Sequence, residues 1–181
     1  MMNFEKLFET QKILRDRINY NEEDRFNKLV LALLVELGEC ANEWRRFKFW
    51  SKDQEPRTKM WVENTEGEEL TLKNPLLEEY VDGLHFVLEL GIELDYKLVI
   101  LPGFFPNDKT NQFIELYYKV SELNFLVEEF GKTDKLVLNS YQDIFDYYLY
   151  LGKSLGFTGE QIETAYYKKN EINHIRQDNG Y

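Results

Sequence analysis

Several residue types that often organise small proteins are scarce in this chain. Cysteine occurs once, as Cys40, so neither a disulfide framework nor a cysteine-based zinc site forms within it. Proline and glycine number only 4 and 10 among 181 residues, which favours long, ordered and mostly helical elements. No apolar run reaches the roughly 18 residues of a membrane span. The opening MMNFEKLFETQ lacks the apolar segment of a signal peptide. Positive charge is also short: 22 Lys and Arg stand against 33 Asp and Glu, a formal net charge of -11. That balance argues against nucleic-acid binding and against an anionic membrane surface. A small anionic substrate stays open, because a bound metal reverses the local sign of a site. A soluble, cytoplasmic protein is expected.

Hydrophobic residues supply 43% of the chain and aromatics 15%, enough to reject disorder. The length suits one domain, residues 1–181, with a sizeable core. Phe4, Leu7, Phe8, Gln11, Leu14 and Ile18 recur at helical spacing and predict a first helix. A second is expected from about Glu22 to about Trp50, apolar nearly all round between Leu29 and Leu37 as a central bundle helix would be. Residues 51–74 change character, and MWVENTEGEELTL reads as a small β-hairpin insertion at about residues 59–72.

Asn74-Pro75 is a good helix start, and LLEEYVDGLHFVLELGIELDYKL continues it, with Gly83 and Gly91 inside, where they allow close helix contact or metal access. Further helices are expected from about Thr110 to Phe130 and from about Tyr141 to Leu155. Thr158 and Gln161 have capping-box spacing and open a last one. The predicted architecture is all-α, a helical bundle of five or six helices.

Glu36 and Glu39 form ExxE inside an apolar helix, with Glu43 near the same face; Glu79 and Asp82 form ExxD inside another. Three positions turn a helix by about 300°, so each pair shares a face. If the helices pack together, the carboxylates converge. Two unit charges about 4 Å apart repel by roughly 4 kcal/mol at an effective dielectric near 20. An all-oxygen set suits a hard divalent cation, and Mg²⁺, as more than one ion, is the expected counter-charge. The same spacing also occurs on ordinary solvated helix faces.

Near the C-terminus Lys169, Asn173 and Arg176 fall on one helical face. Lys and Arg suit phosphate oxygens, and Asn can meet the edge of a base. A solvated amphipathic end is the plainer alternative. His85 and Phe86 follow Asp82 closely, Gln11 sits among apolar residues, and Cys40 reads as a small buried residue.

Taken together, VELGE (35–39), EEYVDGLHF (78–86) and KNEINHIRQDNGY (169–181) resemble the dimeric all-α dUTPases, within the all-α nucleoside triphosphate pyrophosphohydrolase superfamily. RFKFW (46–50) resembles the aromatic and lysine-containing segment of that family. The resemblance implies that Glu36, Glu39, Glu79 and Asp82 bind Mg²⁺, with Glu36 or Glu39 helping deprotonate the attacking water. It implies that Gln11 and Asn173 bond uracil. His85 and Phe86 would shape its pocket, Phe86 by stacking or by excluding a ribose 2′-hydroxyl. Lys169, Arg176, Lys48 and Tyr181 would hold phosphates, and Trp50 would line the pocket. The implied reaction is dUTP plus water giving dUMP and pyrophosphate, with dUDP as a further substrate, in a homodimer. Two rivals stand beside it: a related pyrophosphatase acting on dCTP or another nucleoside triphosphate, and a non-catalytic helical dimer.

Overall fold

The structure, a computed structural model, describes residues 2–63, 70–97, 99, 105 and 108–180. Among these, the order is α1 (Phe4–Ile18), α2 (Arg25–Trp44), β1 (Met60–Glu63), β2 (Leu70–Lys73), α3 (Pro75–Glu93), α4 (Lys109–Phe130), α5 (Lys135–Leu155) and α6 (Gly159–Asp178). Six helices with a small hairpin agree with the all-α bundle expected from the sequence. β1 and β2 pair antiparallel, with Trp61 opposite Leu72; residues 64–69 between them lie outside the described residues.

Side-chain caps set most helix starts. Asn3 accepts from the Lys6 N–H at 3.1 Å, Asn74 from Leu77 at 3.1 Å and Asp108 from Asn111 at 2.8 Å. Thr158 and Gln161 form the full capping box, each side chain bonded to the other's backbone N–H. Such caps satisfy donors that have no partner within the helix, and each is worth about 1 kcal/mol.

Three helix boundaries differ from expectation. α2 stops at Trp44, short of Trp50, because Arg45 turns left-handed at φ 64° and the chain leaves in short turns through Lys48 and Ser51. α3 stops at Glu93, where Asp95 is left-handed at φ 45°. α5 begins at Lys135, before Tyr141, because the Asp134 side chain caps it through the Leu136 N–H at 2.7 Å.

The central position also differs. α3, and not α2, is the helix surrounded by others: it packs against α1, α2, α5 and α6. Tyr80, Leu84, Val87, Leu88 and Leu90 of α3 are buried. On α2 the buried stripe is Val30, Leu33, Leu37 and Cys40, while Leu31 and Val35 are 63% and 48% exposed. Burying one Leu or Phe side chain stabilises by about 1.5–3 kcal/mol, so the single cluster joining Leu33, Leu37, Leu84, Leu88, Phe145 and Tyr148 is what holds α2, α3 and α5 together.

Close packing against α3 depends on missing side chains. A Cβ at Gly83 would collide with the Tyr148 hydroxyl, and one at Gly91 with Tyr141 and Phe8. Tyr148 donates to the Tyr80 carbonyl at 2.6 Å, and Tyr80 donates back to the Tyr148 carbonyl at 3.1 Å. Tyr141 donates to the Val87 carbonyl at 2.8 Å. These buried hydroxyls reach the backbone of the neighbouring helix only because glycines leave the space.

Candidate active site

The contact between α2 and α3 brings the two acidic motifs together. Ligand oxygens of Glu36, Glu39 and Glu79 lie within 4.8 Å of one another. Asp82 stands beside them and raises the proton affinity of both Glu36 and Glu79. It also pairs closely with Lys169 of α6. Glu43 is drawn off instead: Arg57 donates to it at 3.0 Å.

The electrostatics of the cluster are unfavourable as it stands. Burial, then the charges of Asp82 and Glu39, push the Glu36 carboxyl up to about 7. Glu79 is pushed up to about 7 by burial and by Asp82, Glu39 and Glu36. Asp82 is raised by burial, against the opposing pull of Lys169 and Arg176. Glu36 Oε2 and Asp82 Oδ1 are buried without a hydrogen-bond partner among the described residues. An all-oxygen set with buried, unpartnered lone pairs fits a hard divalent cation.

Next to the acids a cavity of about 510 Å³ opens between α1, α2, α3 and α6. Gln11, Arg25, Glu36, His85, Phe86, Glu89, Asn173 and Arg176 line it, together with Leu14, Ile18, Tyr20, Leu29 and Ala32. A second depression of about 700 Å³ lies between α3, α6 and the base of the hairpin, with Lys73, Lys168, Lys169 and Arg176 among its walls. Arg176 belongs to both.

At the inner end of the first cavity the polar groups form a connected network. The Gln11 amide nitrogen donates to Glu89 at 2.9 Å. The Gln11 carbonyl oxygen accepts from the Tyr166 hydroxyl at 2.9 Å and lies 2.8 Å from His85 Nδ1. The His85 ring stacks on Tyr166 with centroids 4.2 Å apart. Burial, with Lys169 adding to it, holds the imidazole down to about 3, so it is neutral over the ordinary pH range. Glu89 pairs with Arg25 and, more loosely, with Arg15; Glu93 pairs with Arg15, Arg25 and Lys132.

A family model described as dUTPase matches residues 3–181. The chain belongs to the dUTPase family. It is accordingly a nucleoside triphosphate pyrophosphohydrolase of the dUTP diphosphatase type. A search of curated proteins finds no significant match. dUTPases generally use a divalent metal, and the Glu36, Glu39 and Glu79 group is where ligand atoms converge among the described residues.

Of the residues expected at the dUTPase site, the structure groups Glu36, Glu39 and Glu79, sets Asp82 at their edge, and lines one cavity with Gln11, His85, Phe86, Asn173 and Arg176. Lys169 lines the adjoining depression. Lys48 and Trp50 line neither: Lys48 reaches back to the Asn42 carbonyl at 3.4 Å, and Trp50 is 65% exposed, stacked edge-on against Phe47 and Phe49. Tyr181 lies outside the described residues.

Sequence reasoning passed over Glu89, Arg25 and Tyr166. Glu89 had a usable signal: it is an acid within VLEL, as anomalous in an apolar helix as Glu36 is. Its partners Arg15 and Arg25 stand far away in the chain and carry no spacing that points to it.

Proposed function

We propose that this chain hydrolyses dUTP to dUMP and pyrophosphate with Mg²⁺ held by Glu36, Glu39, Glu79 and Asp82, and that dUDP is also a substrate. The supporting observation is the adjacency of the acidic cluster to a cavity roomy enough for a base and its sugar, joined through Glu36, which belongs to both. When bound, the metal would neutralise the phosphate charge and lower the pKa of a coordinated water. Glu36 or Glu39 takes the proton from the attacking water. Lys169 and Arg176 hold the phosphate oxygens, Arg176 from a position shared by the cavity and the depression beside it. Gln11 and Asn173 bond the uracil edge, while His85 and Phe86 close the pocket around base and sugar.

The working unit in this proposal is a cytoplasmic homodimer of single-domain subunits. Its support is the exposed apolar edge of α2 at Leu31 and Val35, which no other element of the same chain covers among the described residues. No described helix is long and apolar enough to cross a membrane.

The test is hydrolysis of dUTP, dUDP, dCTP, dTTP and UTP with and without Mg²⁺, followed by pyrophosphate release from the triphosphates and orthophosphate release from dUDP. Preference for dUTP, dependence on Mg²⁺ and a folded but inactive Glu39→Gln variant are expected. Preference for dCTP, or no pyrophosphate from folded wild-type protein with any divalent metal, would overturn the proposal.

A further inference from the structure

Four side chains meet at the inner end of the cavity, and three of them are ambivalent. The Tyr166 hydroxyl donates to the Gln11 oxygen at 2.9 Å but also lies 3.3 Å from the Leu7 carbonyl. It can therefore donate to Leu7 and accept from Gln11 instead. A neutral His85 can place its proton on either ring nitrogen, so its Nδ1 can donate to Gln11 or accept from it. The Gln11 amide itself can be turned over with little change of shape. Only Glu89 has a fixed sense. Paired with Arg25 and Arg15, its carboxylate is an acceptor alone.

The consequence runs along the network. An acceptor at Glu89 requires the Gln11 nitrogen there, at 2.9 Å. The Gln11 oxygen then faces His85 Nδ1 at 2.8 Å, which must carry the proton. His85 Nε2 is left as a bare acceptor, buried and without a partner among the described residues. The second N–H of Gln11 remains as a donor. Turning the amide over would invert every sense: Gln11 would offer an oxygen, and the His85 proton would move to Nε2.

Those two states match different bases. Uracil presents an acceptor at O4 beside a donor at N3, and cytosine presents a donor at N4 beside an acceptor at N3. A donor on Gln11 suits the first, and an acceptor suits the second.

We infer that Glu89 is a specificity-determining residue acting through Gln11: it fixes the amide orientation, and through it the His85 tautomer, so that the cavity takes uracil and rejects cytosine. This rests on the proposal above that Gln11 meets the base. Glu89 does not touch substrate in this role; it is a positioning residue, and the Arg25 and Arg15 guanidiniums hold it in place.

The experiment has two arms. The first is the ¹⁵N spectrum of the imidazoles in the ligand-free wild-type protein, which has 2 histidines, with His174→Gln to assign His85. The Nδ1–H tautomer is expected for His85; the Nε2–H tautomer would overturn the inference whatever the enzyme hydrolyses. The second compares kcat/KM for dUTP and dCTP in wild type, Glu89→Gln and Glu89→Asp. The ratio is expected to fall by at least about tenfold in Glu89→Gln, where position 89 becomes ambivalent, and to be largely retained in Glu89→Asp, which keeps an acceptor. A mixed His85 tautomer should accompany the fall. A folded Glu89→Gln variant with unchanged discrimination and unchanged tautomer overturns the inference while leaving dUTP hydrolysis intact. If that variant does not fold, the wild-type tautomer decides alone. Wild-type protein that discriminates nothing overturns the functional proposal instead, and the spectrum still reads the network.

Discussion

Helix α3 carries two pairs of buried or partly buried acids, and the fold treats them in opposite ways. Glu89 and Glu93, toward its C-terminal end, are met by Arg15 from α1, Arg25 from α2 and Lys132 from the turn after α4. Glu79 and Asp82, toward its N-terminal end, face two more acids, Glu36 and Glu39, with Lys169 the cation paired at close range. What differs is the charge that meets them: several cations of the same chain in one case, and mainly further acids in the other, where the proposed function supplies a metal ion. The comparison separates acids neutralised within the chain from acids that repel one another. The Glu93 carboxyl is held below its usual range by Lys132, Arg15 and Arg25 against the opposing effect of burial, whereas Glu36 and Glu79 are pushed up to about 7.

Removing one member from each region should produce opposite phenotypes. Glu39→Gln is expected to lower pyrophosphate release by at least about tenfold, since even the outer partners of metal sites typically cost about 10- to 100-fold when altered, while the melting temperature without metal stays equal or rises. Steady-state kinetics and thermal melts check both halves. Arg25→Met should do the reverse. It leaves Glu89 with Gln11 and the looser Arg15 pair alone and weakens the hold on Glu93, both side chains being nearly fully buried, and breaking such pairs costs up to about 3–5 kcal/mol. Urea unfolding measures that loss, and adding Mg²⁺ should not selectively restore it.

A smaller effect concerns the packing that places the acids. Gly83 lies one position beyond Asp82 and makes room for the Tyr148 hydroxyl. Gly83→Ala should destabilise by about 1–3 kcal/mol, the usual cost of overpacking, and should lower activity only as far as α3 shifts. Chemical denaturation followed by assay under folding conditions distinguishes the two.

The smallest effect is on pH dependence, and its sign separates the regions. Glu36 and Glu79 have folded-state affinities raised from the ordinary 4.5 to about 7. Their contribution to stability is full below the unfolded value and is lost as pH rises through about 7. Metal-free protein should therefore melt lower at pH 8 than at pH 6. The fall should be smaller in Glu36→Gln, and Mg²⁺ at pH 8 should reverse it. Both residues are partly exposed, so solvent screening keeps the change modest. Glu93, whose carboxyl is depressed, contributes stability of the opposite sign: present above its unfolded value and lost only as pH falls below it.

Much of this was legible in the residues. Period and capping chemistry located the helices, because Asn74-Pro75 and Thr158–Gln161 satisfy backbone donors locally. The acidic motifs were legible because carboxylates inside apolar helices need an answer. Boundaries set by a left-handed residue, such as Arg45 or Asp95, left no mark, since neither position holds glycine or asparagine. The choice of central helix was misread for a related reason. α2 is apolar nearly all round, yet Leu31 and Val35 face outward, and composition alone does not tell an internal apolar face from an exposed one. The Gln11–His85–Tyr166–Glu89 network joins residues from three helices, and its members are paired only by the fold.

The most direct measurement is anomalous diffraction from crystals grown with Mn²⁺ and a non-hydrolysable dUTP analogue. Metal peaks are predicted between Glu36, Glu39 and Glu79, none at Glu89 or Glu93, and the uracil beside Gln11. Crystals with the analogue seated and saturating Mn²⁺ but no metal at the α2–α3 acids, or with metal at Glu89 and Glu93 instead, would contradict the division of the two regions.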